Sequence, residues 1–275
     1  MIRLGLIGDN IKQSQSPALH RLAGALAGLD VSYDLLIPAA QNRDFDALFA
    51  WAHDNGYHGL NITYPYKERV TPMLQIPQPA VAALGACNTV IFGDTPVGHN
   101  TDYSGFAAAF RQRFGGAKPG AVAMAGAGGV GKAVAFALAD LGAARLAIYD
   151  PDTARAQALI TALAAYQPSL DLRLAPSITA ACEGARGLVN STPLGMGGIN
   201  GSAFPEHLLA GRDWAFDAVY TPVETQFLRE AQAAGLDILT GYELFFHQGI
   251  DAFRLFTGAS VDPAALRRAL LAPAA

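Results

Sequence analysis

The chain has 275 residues, 51% hydrophobic and 15% charged, enough apolar material for one large or two modest packed domains. With 19 Lys and Arg against 23 Asp and Glu the net charge is −4, and no basic run argues for a nucleic-acid or anionic-membrane surface. No apolar stretch reaches the roughly 18 residues of a membrane span. The N-terminus shows no charged-then-apolar signal pattern, so a soluble cytoplasmic protein without a membrane partner is expected. Cys87 and Cys182 are far apart and lack CxxC neighbours, which reads as free buried thiols. The six histidines form no close pair at ligand spacing, and no metal site is expected.

Arg3 to Gly8 reads as a buried strand, followed by the polar loop DNIKQSQSP. Ser16-Pro17 opens a helix to about Gly28 with Leu19, Leu22 and Leu26 on its apolar face. A strand over 31–38, a helix over 44–55 ended by Gly56, and a strand over 58–62 come next. The loop Thr63-Tyr64-Pro65-Tyr66 leads into a helix expected from Lys67, then through PQPA into a short helix. Strand-like runs at 88–92 and 96–99 are joined by the turn Gly93-Asp94. NTDYSGF (100–106) heads a helix that ends near Gly115-Gly116 and Pro119.

The stretch AVAMAGAGGVGKAVAFALADLGAARLAIYD (121–150) is the strongest signal in the chain. An apolar strand breaks into Gly126, Gly128, Gly129 and Gly131 and continues as a helix with Val134, Leu138 and Leu141 on one face. A second strand, 146–149, ends on Asp150, an acidic residue about 20 positions past the turn, as a dinucleotide-binding unit requires. Gly126 permits the tight turn, Gly128 lets backbone amides approach a pyrophosphate, and Gly131 lets helix and strand pack closely. The helix N-terminus then faces the phosphate charge. A carboxylate at Asp150 accepts ribose hydroxyls and repels a 2′-phosphate, and Pro151, Asp152 and Thr153 supply no early cation. NAD is favoured over NADP. The bland role for Asp150 is an N-cap, which Asp152 or Thr153 could fill instead.

Beyond that unit, helices are expected at 153–166, 178–184, 225–234, 243–256 and 263–271, and strands at 170–174, 187–190, 214–219 and 236–239. Strand and helix alternation implies mostly parallel sheets. The fold class is α/β with two domains meeting at a cleft, ligands lying at the carboxyl ends of the strands.

The loops of the first half hold an unusual set of polar groups: Ser14 and Ser16, then Asn61, Thr63 and Lys67, then Asn88, Asn100 and Asp102. Hydroxyls, amides, one ammonium and one carboxylate at strand ends suit a small, polyhydroxylated anion. Taken singly each has a plain structural role. Ser16 or Asp102 could cap a helix, Asn61 and Asn88 could serve turns, and Lys67 could be a solvated lysine.

The spaced motifs SQSPALH (14–20), NITYPYK (61–67), GACNTV (85–90), NTDYSGF (100–106), GAGGVGKA (126–133), NSTPLGM (190–196), DAVYTP (217–222) and HQGIDAF before FTG (247–258) resemble those of the shikimate dehydrogenase family. They occur in the family's order over nearly the whole chain. The resemblance implies an N-terminal α/β substrate domain (1–105), a Rossmann NAD-binding domain (106–240), and C-terminal helices (241–275) returning to the substrate domain at the cleft. It implies reversible hydride transfer between a nicotinamide cofactor and the 3-position of shikimate or 3-dehydroshikimate. It also implies a substrate carboxylate on Ser14 and Ser16, ring hydroxyls among Asn61, Thr63, Lys67, Asn88, Asp102 and Gln248, and Lys67 with Asp102 as the catalytic pair. Tyr220 matches the family's cleft tyrosine. The cofactor would lie on Gly126, Ala127, Gly128, Gly129, Val130, Gly131 and Asp150, with Thr192 and Gly241. Shikimate, quinate or a close analogue would be the small-molecule partner of a monomer or homodimer.

Three departures point away from the main biosynthetic branch. That branch continues its second Rossmann strand as Asn-Arg-Thr, where this chain has Tyr149-Asp150-Pro151. Its first loop more often carries Pro and His where Asn10 and Gln13 stand, and bulky Tyr64 and Tyr66 flank Pro65 in the Lys67 loop. These resemble quinate/shikimate or aminoshikimate side branches. A ligand-sensing relative of the same fold is the alternative from another class, and it predicts loss of the Lys67/Asp102 pair, which is present.

Overall fold

The computed structural model describes residues 1–272. The chain forms two compact units, one of Met1–Thr101 joined by the chain from Gln248 onward, the other of Asp102–His247. These joins differ from the divisions after residues 105 and 240 read from the sequence. One falls at the start of helix α4 (Thr101–Phe114) and the other inside α9 (Gly241–Thr257), so no loop or change of composition marks them.

The first unit contains β1 (Ile2–Ile7), α1 (Ser16–Leu26), β2 (Val31–Leu36), α2 (Phe45–Asp54), β3 (Gly59–Ile62), α3 (Pro79–Leu84), β4 (Thr89–Ile91) and β5 (Val97–His99), with α10 (Pro263–Leu271) near its end. The sheet runs β2-β1-β3-β4-β5. The first three strands are parallel, while β4 is antiparallel to both neighbours; the Gly93-Asp94 turn that joins it to β5 is too short for a crossover. Side-chain alternation along β1 sends Leu4 and Leu6 to one face, with Tyr33, Ala252 and Phe256, and Ile7 to the other, with Phe45, Leu48, Phe49 and Leu60. Gly59 leaves room for Phe256, whose ring would lie 2.5 Å from a Cβ there.

Two local expectations change. No α-helix starts at Lys67; the chain turns and makes a single 3-10 turn at Thr71–Met73. The Lys67 carbonyl accepts from the Cys87 amide at 2.9 Å and the Thr71 hydroxyl at 3.0 Å, and Pro72 has no amide to extend a helix. Ser16 is not an N-cap. It is the first residue of α1, whose cap position is Gln15 without a side-chain bond.

The second unit contains α4, β6 (Ala121–Ala125), α5 (Gly129–Asp140), β7 (Arg145–Tyr149), α6 (Thr153–Tyr166), β8 (Asp171–Leu174), α7 (Ile178–Ala181), β9 (Gly187–Asn190), β10 (Trp214–Asp217), α8 (Gln226–Ala233) and β11 (Asp237–Leu239), and it ends in the first turns of α9. Its six strands are all parallel, in the order β11-β10-β9-β6-β7-β8. That is the doubly wound dinucleotide-binding order, with the switch in direction between β6 and β9. Phe110 of α4 meets Trp214 edge-on at 5.2 Å and Phe106 meets Phe216 at 4.9 Å, fixing the helix against β10. Leu141, expected on the face of α5, is its C-cap, and Gly142 (φ +80°) turns the chain out. Asp102, read as a possible cap, lies in the first turn of α4, which begins one residue earlier.

Candidate active site

In the first unit the register brings the polar residues to one end of the sheet. Ile7 and Ile62 are paired at the carboxyl ends of β1 and β3, and the antiparallel run of β4 sets Thr89 beside Asn61 and His99. Ser14 and Ser16 follow β1, Thr63 and Lys67 follow β3, Asn88 precedes β4, and Asn100 follows β5. Gly8 is the close-approach position: a Cβ there would sit 2.3 Å from the Thr63 methyl group.

The serines form a local pair, the Ser14 hydroxyl donating to Ser16 Oγ at 3.1 Å and the Ser16 amide to Ser14 Oγ at 3.2 Å. Asn61 is a strand residue, not a turn residue, and its amide is engaged at both ends. Its Oδ1 accepts from the Tyr33 hydroxyl at 2.8 Å, and its Nδ2 donates to the Asn88 carbonyl at 3.2 Å and Thr89 Oγ1 at 3.1 Å. His20 stacks on Tyr33 at 4.7 Å; burial holds its pKa down at about 3, so it stays neutral. Burial likewise raises the Tyr33 phenol, whose hydroxyl donates to Asn61.

Asn88 accepts at Oδ1 from the Thr101 amide at 2.6 Å, the Thr101 hydroxyl at 3.1 Å and the Thr89 hydroxyl at 3.1 Å. With its oxygen so occupied, Asn88 offers a ligand its Nδ2 donors. The Thr101 hydroxyl also reaches Gln248 Oε1 at 3.3 Å, and Asn100 Nδ2 donates to the Ala86 carbonyl at 2.9 Å. The two bulky residues of the Lys67 loop divide their roles. Tyr66 stacks on Phe45 at 4.5 Å and donates to Asp9 at 2.7 Å, tying this loop to the one after β1, whereas Tyr64 is 72% exposed.

In the second unit the candidate cofactor residues stand at the carboxyl ends of its strands. Gly126 has φ +96°, and a Cβ there would press on Ser191 at 2.9 Å; one on Gly131 would lie 2.6 Å from the Gly126 carbonyl. Gly128 is different: a Cβ there would meet nothing within 4 Å, and α5 begins at Gly129 without a side-chain cap. The first-turn amides of α5 therefore suit a phosphate ligand, and the loop fits a dinucleotide. Asp150 does not cap α6, a role Asp152 fills through the Arg155 amide at 3.1 Å. Instead Asp150 Oδ2 accepts from the Ala127 amide at 2.8 Å and Oδ1 from the Asp152 amide at 2.9 Å. Thr192 is held by Asn190, Gly241 lies 2.5 Å (as a would-be Cβ) from the Val219 carbonyl, and Tyr220 stacks on Phe245 at 5.2 Å. Asp102 belongs to this unit and Lys67 to the first.

The shikimate dehydrogenase substrate-binding domain matches residues 6–90. A quinate/shikimate dehydrogenase (NAD(+)) of Corynebacterium efficiens is 41% identical, covering 98% of both chains. A shikimate dehydrogenase (NADP(+)) of an Arthrobacter species is 39% identical over 96% of this chain and 92% of its own. Among solved structures, quinate dehydrogenase of Corynebacterium glutamicum in complex with NAD superposes with a TM-score of 0.91 at 39% identity, covering 98% of each. The chain belongs to the shikimate dehydrogenase family. A second structure of the family, the Thermus thermophilus shikimate 5-dehydrogenase in complex with NADP(H) and shikimate, superposes with a TM-score of 0.84 at 33% identity and 98% coverage of each.

Of the residues that shape this shikimate dehydrogenase-family site, Tyr33 lies in none of the motifs, and His20, Thr89, Thr101, Asn190 and Asp217 lie inside them without a role of their own assigned from the sequence. Thr101 had a detectable signal, a threonine beside the acidic head of a helix. Tyr33 and Asp217 lie in apolar strands, and only strand pairing reveals their partners.

Proposed function

We propose that this chain is an NAD-dependent quinate/shikimate dehydrogenase, transferring hydride reversibly between NAD and the C3 hydroxyl of shikimate, and of quinate by the same chemistry. The observation that carries the reading is the carboxylate of Asp150 at the end of β7, bonded to the glycine loop, in a chain that matches an NAD(+)-named relative over nearly its full length. A carboxylate there accepts ribose hydroxyls and repels a 2′-phosphate.

The residues divide the work by chemistry. The hydroxyls of Ser14 and Ser16 would bind the substrate carboxylate, each able to turn its proton toward the anion. Asn88 Nδ2, Thr63 and Gln248 would hold ring hydroxyls, and Tyr220 is a further candidate for the substrate. Asn61 supports this group from behind, since its amide is engaged with Tyr33, Asn88 and Thr89. Lys67 would exchange the proton of the reacting oxygen, donating during ketone reduction and accepting during alcohol oxidation, with Asp102 as its carboxylate partner. The loop from Gly126 to Gly131, with Asp150, Thr192 and Gly241, would hold the cofactor; when bound, its nicotinamide supplies the hydride acceptor. The test is NADH formation by the purified protein with shikimate, with quinate and with neither. Turnover with either acid supports the reading, and a protein that binds the acids without turnover would be a ligand-sensing relative.

A further inference from the structure

A buried carboxylate on β10 ties the loop that follows its own strand to the end of the neighbouring β9. Asp217 and Asn190 are register partners at the carboxyl ends of β10 and β9, and both side chains are fully buried. Asp217 Oδ1 accepts from Asn190 Nδ2 at 2.9 Å and from the Val219 amide at 3.0 Å; its Oδ2 accepts from the Thr225 hydroxyl at 2.6 Å. All three donors are neutral. Burial of an ionisable group among neutral donors is costly, and the carboxyl is correspondingly pushed up to about 6.

What that arrangement achieves is visible one step further out. Asn190, oriented through its Nδ2, accepts at Oδ1 from both the Thr192 amide at 2.9 Å and the Thr192 hydroxyl at 2.7 Å. Thr192 Oγ1 accepts in turn from the Leu194 amide at 3.2 Å. The Thr192 hydroxyl thus points its proton inward and keeps one lone pair for a ligand donor. On the other side, the Val219 amide bond fixes the segment whose carbonyls, Ala218 and Val219, crowd Gly241 so closely that a Cβ there would lie 2.5–2.6 Å from them. The Ala218 amide also bonds the Asn190 carbonyl at 2.8 Å, and the Gly197 amide bonds the Thr221 carbonyl at 3.1 Å.

We infer that Asp217 is a positioning residue for the cofactor: through Asn190 it orients Thr192, and through the Val219 amide it sets the strand-end loop against Gly241. The inference rests on the proposed role of Thr192 and Gly241 in holding NAD. A carboxylate accepts all three bonds, whereas an amide in its place has one oxygen: its NH2 faces either the Asn190 Nδ2 and Val219 donors or the Thr225 hydroxyl, which would have to stop donating and accept instead. A site held in advance loses less freedom on binding, so loosening it weakens affinity without touching the chemical groups.

The experiment is NAD binding followed by tryptophan fluorescence quenching or calorimetry, with no acid present, for wild type, Asp217→Asn, Thr192→Val and the double variant. Wild type that fails to bind NAD overturns the cofactor reading itself, and the inference with it. Given wild-type binding, Asp217→Asn is expected to raise the Kd for NAD about tenfold. At saturating NAD its KM for the acid should stay within about twofold of wild type. In the Thr192→Val background the same change is expected to cost less than about threefold, since its main target is already gone. A Kd unchanged by Asp217→Asn, or penalties that multiply independently in the double variant, would overturn the inference. Asn190→Ala leaves Asp217 with Val219 and Thr225 and cuts the link to Thr192, together with the Asn190 Nδ2 bond to the Leu194 carbonyl at 3.2 Å. The same cycle with that variant decides the matter if Asp217→Asn does not fold.

Discussion

The carboxylate of Asp150 bonds the backbone amide of Ala127 at 2.8 Å, so the acidic residue expected to select the cofactor also holds the loop expected to bind it. These are separable functions of one side chain. Asp150→Asn keeps an oxygen for the Ala127 amide and removes the charge; Asp150→Ala removes both. Both variants should narrow the preference for NAD over NADP. Asp150→Ala should in addition raise the KM for NAD by about fivefold over Asp150→Asn, the equivalent of one neutral hydrogen bond. Steady-state kinetics with the two cofactors checks this. Equal KM values for NAD in the two variants would remove the bracing role.

Lys67→Ala should lower kcat by about 10²- to 10⁴-fold, the usual size of a lost proton-transfer group. The Kd for NAD, measured separately, should not move. A variant that retains the wild-type kcat would leave Lys67 as a binding group for a ring hydroxyl.

The Tyr33 hydroxyl supports Asn61 from within the core. Tyr33→Phe keeps the ring on His20 but leaves Asn61 Oδ1 short of a donor, at a cost of about 1–3 kcal/mol in unfolding free energy. Its KM for the acid should rise several-fold with kcat changed much less, the pattern of weakened ground-state binding. Ser14→Ala and Ser16→Ala should show the same split more strongly. Urea unfolding and initial-rate kinetics on the three variants test the set together.

The outcome of reading the chain alone follows the range of each signal. The glycine loop, its flanking strands and Asp150 were legible because the whole unit is local: 121–150 is one strand-turn-helix-strand passage and each glycine has its own steric reason. The polar set after β1 and β3 was legible as a cluster but not in its roles. Asn61 and Asn88 look alike in sequence, yet one is engaged from behind by Tyr33, 28 residues away, and the other by Thr101. Asp217 and Asn190 are 27 residues apart and meet only because β9 and β10 are neighbours in the sheet. The helix expected from Lys67 failed for a related reason, since its first carbonyl is claimed by the distant amide of Cys87.

Asp217 also sets a pH signature on stability. Its carboxyl pKa is raised from 3.8 to about 6, mainly by burial. The folded chain therefore holds this proton more tightly than the unfolded chain does. The resulting stabilisation is complete below the unfolded value and is lost as pH rises through the folded one. The change is worth about 3 kcal/mol at most. The stability of wild type minus that of Asp217→Asn, from urea unfolding at a series of pH values, should fall between pH about 4 and 6 and level off above. A difference that is flat across that interval would mean that the carboxyl is not held in the folded chain as described.

The central claim is that this chain oxidises quinate or shikimate with NAD in preference to NADP. The direct measurement is kcat/KM for each cofactor with each acid at saturation. Turnover with at least one acid is expected, with an NAD to NADP ratio of about 100 or more, the scale set by one charge repulsion and lost ribose bonds. Equal or better use of NADP would contradict the role given to Asp150, and no turnover of either acid with either cofactor would contradict the function.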